Sequence, residues 1–157
     1  MNTDKVHIRI IGIGNPLMGD DGLGCAAIEL LQQQNLPPHI ELLDGGCGGL
    51  SLLPLLTECR QAIIIDAADF GAAPGSNRIL TDAELEQIPP QTCRLSSHQP
   101  GLAEVLLLGK NLGQLPKLTL VLMQIQICAP QYGLSAPVQA SLPGLIQTVL
   151  RTVQAAD

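Results

Sequence analysis

Two carboxylate positions and one imidazole are the residues through which this sequence can be read for chemistry. Asp20 and Asp21 stand in a glycine-rich stretch, GIGNPLMGDDGLG, that follows directly on a β-branched run. Asp66 closes a second apolar run, AIIID, and His98 stands in SSHQPGL, just ahead of a segment with helical spacing. Two carboxylates and an imidazole make an O,O,N donor set, which suits a borderline divalent metal with positions left open for substrate. The same set can position a water for hydrolysis. The residues lie far apart in the chain, so only the fold can bring them together.

Each has a plainer role open to it. Asp20 or Asp21 can cap the helix that follows, where a carboxylate accepts backbone N–H groups; this role suits Asp20 better than Asp21. Asp66 is harder to place as a bystander, because a carboxylate directly after apolar strand residues must be partnered or wet. His98 can serve as a helix entry, and His7 and His39 carry no functional expectation. Cys47, in GGCGG, is a conceivable nucleophile paired with His98 if its thiol lies beside helix-start N–H groups. Asp69 is close enough in sequence to Asp66 to replace it as a ligand. The usual motifs are missing. Leu17 stands where a dinucleotide-binding GxGxxG needs its third glycine, and there is no P-loop, HExxH or GxSxG. The five cysteines form no CxxC pair or zinc-type cluster and are expected to be reduced thiols.

The elements that must position these residues follow from periodicity. Val6 to Ile13 reads as a strand, CAAIELLQQQ as a helix stopped by Asn35 to Pro38, and Ile40 to Asp44 as a short strand. LSLLPLL reads as helical with Pro54 near its start, and Ala62 to Asp66 as a strand buried on both faces. Residues 67–97 read mostly as loop, with a short acidic helix from Asp82 to Gln87. GLAEVLLLGKNLG is a helix and LTLVLMQIQI a long strand. A last helical region starts at Ser135 and is kinked or split at Pro143-Gly144. The order βαβαβ, loop, αβα predicts an α/β fold: one domain over residues 1–157, a twisted, mostly parallel sheet, and helices on both faces. Ligands in such folds bind outside the carboxyl ends of the strands, where Asp21 and Asp66 fall.

Composition narrows the function. With 157 residues, 46% of them hydrophobic, the chain suits one compact domain. One Phe and one Tyr are its only aromatic residues, which removes the stacking platforms of single-strand nucleic-acid binding. Eight Lys and Arg against 14 Asp and Glu give a net charge of −6, which repels phosphate backbones. The most apolar late segment, LTLVLMQIQICA, is too short for a membrane span and is interrupted by Gln124 and Gln126. The N-terminal residues hold no apolar stretch of signal-peptide length before Gly and Pro intervene, so a cytoplasmic location is expected.

Four pieces in order, GIGNPLMGDDGLG, LLDGGCGG, IIIDAADFGAAPG and SSHQPGL, resemble the hydrogenase maturation endopeptidases, and the likeness runs from Val6 to about Val153. The resemblance implies a three-layer αβα domain. It implies an endopeptidase that removes the C-terminal extension of the nickel–iron hydrogenase large-subunit precursor after nickel insertion, with substrate-bound nickel as the recognition signal. It also implies that Asp21, Asp66 and His98 are the catalytic and metal-contacting residues, and that the nickel comes with the substrate and not as a tightly held cofactor. Carboxylates and imidazole bind nickel more weakly than the substrate's thiolates, so such a site touches the metal without extracting it. This sequence departs from the family pattern at Asp21, where Glu is common, and at Cys47, where a small hydroxyl residue is common. A non-enzymatic nickel-binding maturation factor is the alternative, although the chain lacks the His- or Cys-rich tracts expected of a metal carrier. A Cys47-dependent hydrolase is the lesser one.

Overall fold

The structure, a computed structural model, describes residues 8–90 and 100–155. Five strands form one sheet: Ile8–Gly12 (β1), Ile40–Asp44 (β2), Gln61–Ala68 (β3), Asn77–Thr81 (β4) and Lys117–Gln124 (β5). Their order is β2-β1-β3-β5-β4. The pairs β1–β2, β1–β3 and β3–β5 are parallel, and β4 joins β5 antiparallel at one edge. The helices are Leu23–Gln32 (α1), Leu52–Leu56 (α2), Leu102–Asn111 (α3) and Ala136–Gln154 (α4).

Side-chain alternation along β3 builds the layers. Ile63, Ile65 and Ala67 face one way and pack with Leu23 and Leu31 of α1 and Leu145 and Val149 of α4. Ala62, Ile64 and Ala68 face the other way, against Leu52 and Leu56 of α2 and Leu102 and Leu106 of α3. All eight β3 positions are buried, which is why its sequence is a continuous apolar run with no alternation. The outcome is the expected three-layer αβα arrangement around a mostly parallel sheet.

Two local expectations are corrected and one is narrowed. The region after Ala68 contains β4 where a loop was expected. Only Leu80 of its five residues is buried, so an edge strand left no hydrophobic signature in the sequence. β5 stops at Gln124, short of Ile127, because the N–H groups of Gln126 and Ile127 are taken by the Asp20 carboxylate at 2.8 and 2.9 Å. The last helix runs through Pro143 and Gly144 as one element instead of splitting. Leu52–Leu56 accommodates Pro54 in its first turn, where a missing N–H costs nothing.

The sheet reverses direction beside β1. From β1 the chain goes by α1 to β2 on one flank, and then returns to β3 on the other. A crevice therefore opens at the carboxyl ends of β1 and β3. The register puts Gly12, the last residue of β1, level with Asp44, the last of β2, and with Ile65, so β3 runs three residues past this rim and Asp66 lies one residue beyond it. The start of α1 is drawn hard against that rim. A Cβ on Gly24 would come within 2.3 Å of the Ile13 carbonyl oxygen and 2.9 Å of that of Ile65, so no larger residue fits.

Candidate active site

The turn after β1 carries the first candidate carboxylate. Gly19–Gly22 forms a 3-10 turn, packed against β3, that leads directly into α1. Asn15 shapes the approach: its side-chain oxygen accepts the Leu17 N–H at 3.0 Å, and its carbonyl accepts that of Met18 at 3.0 Å. Its own N–H donates to Asp21 Oδ2 at 2.8 Å, which orients the carboxylate. Gly14, at φ +130°, lets the chain pass; a Cβ there would sit 1.9 Å from the Asp21 carbonyl oxygen. Asp21 is half-buried. Burial pushes its carboxyl above the ordinary carboxylate value, and the Asn15 N–H offsets this only in part.

The second carboxylate is deeper. Asp66, 3% exposed, is near the carboxyl end of β3, and its Oδ1 accepts the Ala67 N–H at 2.8 Å. Strand alternation assigns it to the sheet face covered by α2 and α3. The third residue of the expected set, His98, lies outside the described residues. The described chain resumes at Pro100 and enters α3 at Leu102 on that same face, with the Glu104 carboxylate accepting the Gly101 N–H at the helix start. The turns after β1 and β2 are tied together by Gly45 N–H to the Gly12 carbonyl and Gly14 N–H to the Gly46 carbonyl, each 2.8 Å. Asp21, Asp44 and Asp66 therefore stand on one rim.

Asp20 behaves differently from its neighbour. It is fully buried, and its carboxylate accepts four hydrogen bonds: from the N–H groups of Gln126, Ile127 and Ser135 and from the Ser135 hydroxyl, at 2.7–2.9 Å. Burial alone would raise its carboxyl, but these bonds hold it below the ordinary value. The expected capping of the following helix does not hold. Asp20 does not cap its own helix; it fastens the β5–α4 loop over the turn that presents Asp21.

Asp69 is tied into the loop after β3 through one carboxylate oxygen. Its Oδ1 accepts Gln124 Nε2 at 3.0 Å and the Gly71 N–H at 3.3 Å. Gln124, 4% exposed, uses its whole amide on this loop. Its oxygen takes the Phe70 and Ala72 N–H groups, and its nitrogen also donates to the Ile125 carbonyl. Asn15, Gln124 and Ser135 were invisible as site-building residues because single-sequence spacing does not show which group a residue will meet, whether 6 positions away for Asn15, 52–55 for Gln124 or 115 for Ser135.

The thiols divide in a useful way. Cys25, one turn beyond Asp21 on α1, is pushed up to about 11 by burial and by Asp44, Glu29 and Asp21 around it. It stays protonated at neutral pH and is therefore a poor nucleophile and a poor ligand for a soft metal. Cys47 is exposed on the β2–α2 turn. Cys128 is disulfide-bonded, whereas Cys25, Cys47 and Cys59 are free, so the expectation of five reduced thiols does not hold. Since Cys47 has no part in the carboxylate arrangement, Cys47→Ala is expected to retain more than about half the wild-type cleavage rate, a change under about 0.5 kcal/mol. A steady-state peptidase assay checks this, and a loss of two orders of magnitude would restore the thiol mechanism.

Comparison with known proteins decides the family. The family model for hydrogenase maturation proteases matches residues 25–152. The chain belongs to the hydrogenase maturation protease family. Among relatives of this family, the hydrogenase 2 maturation protease of Escherichia coli strain K12 is 36% identical over 152 residues, an alignment covering 95% of this chain and 92% of that protein. The hydrogenase expression/formation protein HupD of Rhizobium leguminosarum bv. viciae is 34% identical over 152 residues, covering 94% and 74%. The structure of the hydrogenase maturating endopeptidase HybD from E. coli superposes with a TM-score of 0.82 at 35% identity, covering 96% of this chain and 93% of that one. The resemblance carried by the four motifs is thereby confirmed at the level of family and fold, and the hydrogenase maturation protease is a peptide-bond hydrolase. No helix among the described residues is long and apolar enough to cross a membrane.

Proposed function

We propose that this peptidase removes the C-terminal extension of a nickel–iron hydrogenase large-subunit precursor, and that nickel already inserted in the precursor licenses the cut. The observation that supports this best is the chemistry of the rim. Two carboxylates, Asp21 in the turn between β1 and α1 and Asp66 near the carboxyl end of the adjoining β3, offer hard oxygen donors, while the neighbouring Cys25 thiol is kept protonated. Such a site contacts a metal held by the substrate's own thiolates without competing for it. In this reading His98 supplies the third donor, and nickel arrives as part of the substrate.

The chain's own groups then serve the hydrolysis. A carboxylate held above its ordinary range by burial is a better proton acceptor than one in water. In this mechanism Asp21 takes a proton from the attacking water as the water oxygen bonds to the scissile carbonyl carbon. The C–N bond then breaks, and that proton passes to the departing amine. Asp66, with its Oδ1 fixed by the Ala67 N–H, is a preset oxygen donor toward the metal end of the substrate. The test is the mass of the product when the purified chain meets a nickel-loaded large-subunit precursor. Release of one C-terminal peptide, lost in Asp66→Asn and His98→Ala, is the expected result. Binding without any cleavage would favour a nickel-binding maturation factor instead.

A further inference from the structure

Two loops at the rim are joined into one rigid platform that holds apolar side chains out into solvent. The segments around Met18 and Gln131 pair as a parallel bridge. Gln131 N–H donates to the Leu17 carbonyl at 3.0 Å, and Gly19 N–H to the Gln131 carbonyl at 2.8 Å. Beneath them the Asp20 carboxylate, with four donors, locks the same two loops together. On this platform Leu17 is 61% exposed and Tyr132 84% exposed, and Tyr132 is the only tyrosine of a chain that has one other aromatic residue. Leu17 and Tyr132 each stand one residue from this bridge, and Gly19, next to Met18, lines a cavity together with Tyr132.

A cavity of about 180 Å³ opens beside Tyr132. Pro16, Ala26, Tyr132 and Leu134 give it apolar walls, and Glu29 and Gln139 are among its polar side chains. Gly19 and Gly22, which bracket Asp21, also line it, so the cavity and the candidate catalytic carboxylate share one turn. Single exposed apolar residues are ordinary. An exposed ring on a hydrogen-bonded loop, beside a partly apolar cavity that shares the Asp21 turn, is the pattern of an aromatic anchor in an interface.

We propose that Leu17, Tyr132 and the adjoining cavity form the docking surface for the stretch of precursor chain flanking the cut bond, the cavity taking one of its apolar side chains. This rests on the cleavage reaction proposed above. Both side chains are mostly in solvent, so Tyr132→Ala and Leu17→Ser should fold with unchanged melting temperatures. The experiment measures kcat and KM for these variants on nickel-loaded precursor, with Leu112→Ser and Ile79→Ser as controls on exposed apolar residues elsewhere. Precursor Kd is measured separately in an Asp21→Asn background, where no cleavage interferes. Tyr132→Ala is expected to raise KM and Kd about tenfold with kcat changed less than twofold, Leu17→Ser a few-fold, and the controls neither. If the parent chain cleaves and Tyr132→Ala shows unaltered KM and Kd, the docking surface is wrong. If the parent chain binds the precursor without cutting it, the reaction is wrong, and the Kd values alone decide the docking surface.

Discussion

Asp21→Asn is expected to abolish cleavage and to leave the protein at least as stable as the parent at neutral pH. The two effects have one cause. Burial raises the Asp21 carboxyl above its ordinary value, so holding it ionised in the fold is unfavourable. The unfolded chain gives up this proton at lower pH than the folded chain does. Stability therefore falls as pH rises from the ordinary carboxylate value through the raised folded one, and it stays reduced at pH 7. Asparagine carries no charge at any pH and keeps an oxygen for the Asn15 N–H, so the cost disappears while the turn is retained. The activity goes with it: a neutral amide neither accepts the proton of the attacking water nor offers a charged donor to a cation. The loss of kcat/KM is expected to be about a hundredfold or more, the usual contribution of a general base. Calorimetric melting at pH 7, set beside the peptidase assay, checks both halves. A variant that melts well below the parent would show that Asp21 is a structural residue after all.

Asp20→Ala is expected to do the opposite, costing stability first and activity through it. Four donors, three of them backbone N–H groups, lose their acceptor inside the fold. Hydrogen bonds to a charged acceptor are worth about 1.5–3 kcal/mol each, and because the contributions of one group are not additive the expected loss is about 3–5 kcal/mol. For a domain of this size that lowers the melting temperature by about 10 °C. The sign with pH is fixed by the depressed carboxyl. Its contribution is present above the ordinary carboxylate pKa of about 3.9 and is lost as pH falls through the lower folded value. The difference in melting temperature between parent and variant should thus be full at pH 7 and shrink in strongly acid solution. Asp20→Asn should fall between them, since an amide oxygen can replace Oδ2 toward Gln126, Ile127 and the Ser135 hydroxyl, while its NH₂ confronts the Ser135 N–H.

The contrast between these adjacent aspartates marks how far the sequence could be read. Their position after a strand and before a helix was enough to place both at the carboxyl end of β1. The apolar run ending in Asp66 was enough to place that residue in a central strand, which runs on to Ala68, because a short unbroken apolar run is what a strand covered on both faces requires. What separates Asp20 from Asp21 is a loop more than a hundred residues downstream, and single-sequence spacing is blind to that distance. The same blindness hid Gln124, which orders the chain after β3, and with it the reason Asp69 is engaged elsewhere. β4 escaped for a different reason: an edge strand with one buried side chain has no period to detect. His98 was reached only through motif resemblance, and it lies outside the described residues.

The central claim is that nickel in the substrate licenses the cut. The most direct measurement compares cleavage rates of the same large-subunit precursor, nickel-loaded and nickel-free, at equal concentrations, with the product identified by mass. Rapid release of one C-terminal peptide from the loaded precursor, and none from the nickel-free form on the same timescale, is the predicted result. Equal rates for the two forms would contradict the claim and would leave an ordinary peptidase with no metal requirement.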